Sequence, residues 1–311
     1  AAAELTGDAH PDLVIGDFES KIHVAIGHGD GSFTLGEPSP IDLRADLLRA
    51  APVADQPASV LAASTLYQSV GLVALRFDAE GRVTAQTALS TTARAVSLAT
   101  ADLDDDGDHD LVAVLREPDD DFVLHVFPAT PTGWDPPRSR SLSALFPADN
   151  FTSAALALDD LDLDGTLDGL LAINAAIVRL PDLGADSPPA PQRIDFPQIA
   201  EADAIAIADV DADGELDLAV CRHGGPAIVL GSATGEFLAQ PQVAQTYVSC
   251  ALHVDPTDLR PTAAIVTDRG VAVLTPSLAP GLTELDRFSG GPAPLQQLET
   301  GDIDADGHPD V

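Results

Sequence analysis

Aspartates recur at alternate positions four times in this chain, and each run ends on a glycine and then one more aspartate. Asp102, Asp104, Asp106, Gly107 and Asp110 form one set, and Asp160, Asp162, Asp164, Gly165 and Asp168 a second. Asp209, Asp211, Asp213, Gly214 and Asp217 form a third, and Asp302, Asp304, Asp306, Gly307 and Asp310 a fourth. Carboxylates at positions 1, 3 and 5 converge on one point only where the backbone curls tightly around it. Glycine at position 6 permits that curl, and the ninth residue closes the cage. Hard oxygen donors at this density suit calcium, which takes six to eight oxygens at about 2.3–2.6 Å. Zinc and copper would want histidine or thiolate, which these runs do not supply. Magnesium prefers few protein ligands and several waters.

The stretch 102–110 alone packs six aspartates into nine residues, and like charges that close repel strongly unless a cation sits among them. The four runs hold 19 of the 50 acidic residues, so calcium would serve as a structural staple. An EF-hand would need a glutamate at position 12 and flanking helices; here Ala113, Leu171 and Val220 stand there, inside apolar β-like runs. A worn copy opens the chain, with Glu4, Thr6, Asp8 and Asp12 in the ligand places and Ala9 where glycine is expected. It predicts a weaker fifth site, because Thr6 lowers the ligand charge and Ala9 lacks glycine's freedom in the turn.

The ninth positions fall at 12, 110, 168, 217 and 310, and the first and last gaps are about twice the others. Two further units fill those gaps, with ninth positions near 58 and 262. They keep the turn and the apolar run but carry Ala50, Pro52 and Ala58, or Val254, Pro256 and Thr262, where the acids would stand. These two are predicted to be ordinary turns without metal. Seven units of 45 to 58 residues emerge. Each reads as four short strands and three turns, which is a propeller blade. The expected architecture is all-β: one seven-bladed β-propeller domain over residues 1–311. Frequent glycine and proline and the lack of a sustained 3.6 period exclude helical solenoids.

Fifteen basic against 50 acidic residues give a formal charge of −35. Nucleic acid and anionic membrane would both be repelled, whereas cations would be attracted. No apolar run approaches the roughly 18 residues of a membrane span. The chain has no initiator methionine and no signal-peptide regions, and reads as a processed or excised piece. Cys221 and Cys250 lie in apolar strand-like runs, and spacing leaves a disulfide and two buried thiols equally open.

The loops "DLDDDGDHDLVAV" and "DVDADGELDLAVC", with "VAIGHGDGSF" at 24–33, resemble the FG-GAP family, including VCBS-type repeats and the calcium-binding blades of integrin α-subunits. The resemblance spans essentially the whole chain. It implies seven blades, each loop joining the first two strands of its blade, and calcium near one rim. By that match the side chains at positions 1, 3, 5 and 9 are ligands. The seventh residues Asp108, Thr166, Glu215 and His308 would give their backbone carbonyls. The literal Phe-Gly and Gly-Ala-Pro signatures are absent. The chain starts within the first loop and stops just after the seventh, so the last blade is expected to be incomplete. Family members mostly mediate adhesion or recognition, and some are accessory blades of larger secreted enzymes.

A direct search for catalysis finds no G-x-S-x-G elbow, no HExxH and no phosphate-binding loop. "GSATG" at 231–235 reads as a hairpin turn. Phe33 and Phe237 occupy equivalent places and suit packing between blades, while Trp134, Tyr67 and Tyr247 are the candidates for stacking on a glycan. Arg138 and Arg140 suggest an exposed loop between strands. The expectation is a secreted or surface-exposed, calcium-stabilised propeller that recognises a protein or glycan and catalyses nothing. The alternative is a non-catalytic module of a secreted hydrolase or lyase whose catalytic domain lies outside this chain.

Overall fold

The computed structural model describes residues 1–17, 19–54, 56–65, 71–146, 154–173, 175–195, 202–209 and 216–222. Beyond these it describes the strand backbones at 227–230, 238–239, 249–254, 261–267, 270–276 and 282–288. Side chains are described as far as residue 220.

The first sheet holds β1 (Ala2–Ala3), β2 (Asp12–Gly16), β3 (Lys21–Gly27), β4 (Phe33–Leu35) and β5 (Ser39–Pro40). Two residues of a first strand thus precede the opening loop, where the sequence suggested none: β1 pairs antiparallel with β2. The second sheet is β6 (Leu47–Val53), β7 (Gln56–Ala63), β8 (Leu72–Phe77) and β9 (Val83–Ser90). The third comprises β10 (Arg94–Ala101), β11 (Asp110–Arg116) and β12 (Phe122–Phe127). Next comes a short ribbon of β13 (Ala129–Thr130) and β14 (Gly133–Trp134), and then β15 (Arg138–Ser141), which completes the third sheet by pairing with β12.

Arg138 and Arg140 therefore do not sit in a loop. They belong to an outer strand, opposite Val126 and Leu124, because the alternating polar run "RSRS" suits a strand covered on one side only.

The fourth sheet is β16 (Ala154–Asp159), β17 (Asp168–Ile173), β18 (Ala176–Leu180) and β19 (Gln192–Asp195). The fifth is β20 (Ala202–Ala208), β21 (Asp217–Arg222), β22 (Ala227–Leu230) and β23 (Leu238–Ala239). The sixth is β24 (Ser249–Val254), β25 (Pro261–Thr267), β26 (Gly270–Pro276) and β27 (Leu282–Phe288). Strand order in the second, fourth, fifth and sixth sheets follows the sequence, and all pairings are antiparallel. Two compact units divide the chain, one carrying the first three sheets and the other the next three.

Why the runs after each loop are almost wholly apolar follows from the packing. Alternate residues of β7 face opposite ways: Ala58, Val60 and Ala62 pack with Leu5 of the opening loop and with Ile22 and Val24 of the first sheet. Leu61 and Ala63 pack instead with Leu98, Leu111 and Leu115 of the third. A sheet covered on both faces needs apolar residues at every position, so alternation disappears from the sequence. In the other unit Leu170 and Ala172 of β17 pack with Leu218 and Val220 of β21. Each fully buried Leu or Val contributes about 1.5–3 kcal/mol. Trp134 packs on the cluster shared by the second and third sheets.

The acidic loops join the first two strands of their sheets: 102–109 connects β10 to β11, and 160–167 connects β16 to β17. Their curl needs two left-handed residues, not one. Position 6 has φ +69° at Ala9, +89° at Gly107 and +91° at Gly165. Position 4 is left-handed as well, with Gly7 at +85°, Asp105 at +60° and Leu163 at +58°. The worn loop thus keeps the backbone path but has its glycine at the other of the two positions.

An L-residue held left-handed costs roughly 1–2 kcal/mol, and Leu163 has no compensating burial, being 75% exposed. Leu163→Gly is therefore expected to stabilise the protein by about 0.5–1 kcal/mol and Leu163→Val to destabilise it. Thermal melts of the two variants check this, and a lower melting temperature for Leu163→Gly would refute it.

Candidate metal centre

In loop 102–110 the carboxylates of Asp102, Asp104 and Asp106 bring oxygens within 4.8 Å of one another. The backbone imposes this. Asp102 accepts N–H bonds from Asp106 (3.2 Å) and Gly107 (2.9 Å), and Asp106 accepts one from Asp108 (2.8 Å). Asp110 closes the loop from the buried start of β11. Its Oδ1 accepts the Ala129 N–H at 2.7 Å, and its Oδ2 accepts the Leu103 N–H at 3.3 Å.

The electrostatics of this loop are unrelieved. None of its six aspartates pairs with an arginine or lysine among the described residues. Burial, and after it the charges of Asp104 and Asp106, push Asp110 up to about 6 against the help of the Ala129 and Leu103 amides. Asp108 is 2% exposed; its Oδ1 accepts the Ala54 N–H at 2.8 Å, while its buried Oδ2 has no hydrogen-bond partner. The three convergent carboxylates of Asp102, Asp104 and Asp106 are a donor set that fits a hard divalent cation. Calcium there would be held by Asp102, Asp104, Asp106 and Asp110.

Loop 160–168 has the same scaffold. Asp160 accepts from Asp164 N–H (3.0 Å) and Gly165 N–H (2.8 Å), and Asp160, Asp162 and Asp164 also bring oxygens within 4.8 Å. Thr166 at position 7 places its hydroxyl 2.6 Å from Asp164 Oδ1, and this bond, with the Thr166 N–H, holds the Asp164 carboxyl below its ordinary range. Burial, then the charge of Asp160, raises the neighbouring Asp159. One difference is large. Arg179 Nη2 lies 2.6 Å from Asp162 Oδ2 and 2.7 Å from Asp168 Oδ2, bridging positions 3 and 9.

The worn loop 4–12 is closed by its own hydrogen bonds. Asp12, fully buried, accepts from Leu5 N–H (3.0 Å), the Thr6 hydroxyl (3.2 Å) and Gly27 N–H (2.9 Å). Glu4 accepts the Gly7 N–H, and Asp8 accepts the His10 N–H at 3.0 Å. Glu4, Asp8 and Asp12 do not form a cluster like those of the two loops above. The carboxylates of the predicted fifth site are thus not brought together, and Asp12 is held instead by Thr6 and backbone amides. Of the third loop, Asp209 and the buried Asp217 are described, and Asp211, Asp213 and Glu215 lie outside the described residues. So do Asp302, Asp304, Asp306, His308 and Asp310, and the side chains of Cys221 and Cys250.

Sequence reasoning missed a second polar arrangement. In the third sheet Ser139 Oγ lies 2.8 Å from His125 Nδ1, and His125 Nε2 lies 3.1 Å from Glu117 Oε1. Burial holds His125 below its ordinary pKa against the pull of Glu117, so the imidazole is neutral near pH 7. It borders a cleft of about 430 Å³ that also exposes Ser90, Thr91, Thr92 and Glu117. No short motif could signal it, since Glu117 follows β11 while His125 lies within β12 and Ser139 within β15.

No protein-family profile matches the chain, and no curated protein does. Solved structures are similar. A lectin of Agrocybe aegerita described as recognising non-reducing terminal N-acetylglucosamine matches over 92% of this chain and 79% of its own, at TM-score 0.60 and 16% identity. BBS1N, solved in complex with ARL6DN, matches over 97% and 85%, at TM-score 0.61 and 12% identity. The Dos1 propeller matches over 89% and 68%, at TM-score 0.54 and 11% identity. At these identities the likeness shows the fold, which is propeller-like and built from repeated four-stranded antiparallel sheets.

Two outcomes test the geometry. Asp12→Ala leaves the buried Leu5 and Gly27 amides without acceptors and is expected to cost roughly 3 kcal/mol or more, read from denaturant melts. The Asp110 carboxyl titrates higher folded than unfolded, so its contribution to stability falls as pH rises from about 4 to about 6. In chelator, the stability difference between the parent and Asp110→Asn should therefore move against the parent across that range. A difference flat with pH would show that Asp110 is not strained by its charge.

Proposed function

We propose that this chain is a calcium-stabilised, seven-bladed recognition module that works outside the cell, binding a protein or glycan partner and catalysing nothing itself. The observation that carries the reading is loop 102–110, where three convergent carboxylates and a buried Asp110, raised in pKa by burial and then by the charges of Asp104 and Asp106, favour a cation. Loops 209–217 and 302–310 share its motif and are proposed to bind calcium too. Calcium there would supply charge neutralisation and a rigid loop.

Recognition is supported by the company this fold keeps: the lectin is described as binding a glycan terminus, and BBS1N was solved on a protein partner. The surface suits such work. A charge of −35 deters nucleic acid and anionic lipid. The cleft beside His125 offers hydroxyls, a carboxylate and a neutral imidazole, the donor and acceptor set that a sugar or a peptide backbone engages.

Millimolar calcium should raise the melting temperature and chelator lower it, each filled site adding on the order of 1 kcal/mol for affinities typical of extracellular modules. Asp104→Asn with Asp106→Asn should remove one site's share. A glycan array and a surface-protein screen, run with calcium and with chelator and repeated on His125→Ala, would identify the partner class. Melting curves that overlay with and without calcium would overturn the calcium reading, and an empty screen in both buffers the recognition reading.

A further inference from the structure

We infer that Arg179 is a built-in cation that fills loop 160–168 and makes this loop, despite its complete acidic motif, independent of calcium. The inference rests on the proposal that the acidic loops otherwise bind calcium.

The registers locate the residue within the repeat. Two residues after the ninth position, each second strand faces a residue of the third strand. Those facing pairs are Val14 with Val24, Val60 with Leu75 and Val112 with Val126 in the first three sheets. In the fifth and sixth sheets they are Ala219 with Ile228 and Ala264 with Val273. The third-strand residue is aliphatic in every case. In the fourth sheet alone among these, Leu170 faces an arginine, Arg179. Val24 and Leu75 are fully buried there and Val126 nearly so, so the place is built for an apolar side chain. Arginine fits because its stem can lie on the apolar sheet while its head reaches the loop.

What the head does there is specific. One nitrogen donates to the carboxylates of positions 3 and 9 at 2.6 and 2.7 Å, and the ninth carboxylate is fully buried. An arginine stays charged throughout the physiological range, so the head is a fixed cation between these carboxylates. Asp168 is thereby complete: Oδ1 accepts the Asp182 N–H at 2.8 Å and Oδ2 accepts from Arg179. Among the described residues, no arginine or lysine pairs with the carboxylates of loop 102–110, and there the second oxygen of the ninth carboxylate meets only the Leu103 N–H at 3.3 Å. A calcium ion entering loop 160–168 would have to break two short charge-assisted bonds and then sit beside a guanidinium of its own sign. The same acidic motif therefore has two solutions in one chain, one that would take its cation from solution and one supplied from the strand.

The test counts calcium bound per chain by equilibrium dialysis at about 1 mM calcium, using the full chain. Arg179→Val, which restores the aliphatic residue of the other sheets, is expected to bind one ion more than the parent. Asp160→Asn with Asp164→Asn, made in the parent, is expected to leave the count unchanged; a loss of one ion in that variant would overturn the inference. So would a folded Arg179→Val that binds no additional ion, and if Arg179→Val does not fold, the double variant decides. Asp104→Asn with Asp106→Asn is a separate arm, expected to bind one ion fewer. An unchanged count there would sink the calcium reading of loop 102–110 while leaving the Arg179 comparison to stand on its own arms.

Discussion

A buried carboxylate at the ninth position ties each described loop to the sheet behind it. Asp12, Asp110 and Asp168 stand at the start of the second strand, almost without solvent contact. Each accepts an N–H from a residue at or just past the end of the third strand: Gly27, which closes β3, and Ala129 and Asp182, each two residues beyond β12 and β18. Hydrogen bonds to an ionised acceptor are about twice as strong as neutral ones. Leaving a carboxylate buried without them would be prohibitive. Loop, second strand and third strand are thus fixed through one side chain. The second oxygen is where the repeats diverge: it meets a hydroxyl and an amide in the first loop, a guanidinium in the fourth sheet, and in the third sheet only a long amide bond among further aspartates.

This dual duty explains what the sequence could and could not disclose. The acidic loops and the four-strand repeat lay in spacing and in apolar runs, because a sheet covered on both faces leaves a continuous hydrophobic signature, whereas the place of the loops between the first two strands came from the family resemblance. The ninth aspartate read as a metal ligand, and its bonds to the third strand were invisible, since Gly27, Ala129 and Asp182 lie at three different separations from it. Arg179 was hidden for the same reason: its meaning appears only once strand register shows what stands opposite Leu170. Position 4 escaped notice because glycine marks it in only one of three loops. Arg138 and Arg140 misled because charge was read as exposure, although alternating charge is equally the mark of an outer strand.

The turn of the second sheet gains a role from its surroundings. Having lost its acids, it serves as a seat for the loop of the next sheet. Asp108 accepts the Ala54 N–H, and His109 donates its N–H to the Pro52 carbonyl at 2.9 Å. A Cβ on Gly107 would come within 3.2 Å of the Ala54 side chain, so the small residues at both places belong together. Thr100 adds a bond from its hydroxyl to the Ala50 carbonyl at 2.8 Å. A unit without ligands is in this way a support for a neighbour that has them.

Every described strand pairs with a strand close by in sequence, and each described sheet closes within one repeat length. Chains dominated by such near pairings meet little loop-closure entropy and fold quickly for their size. Each sheet is still too thin to persist alone, since its two faces need neighbours, so structure is expected to spread from whichever adjacent pair forms first. The ordering of each acidic loop then belongs to that spreading front: its ninth carboxylate finds its amide only when the third strand arrives, and the growing chain carries its charge repulsion until that moment.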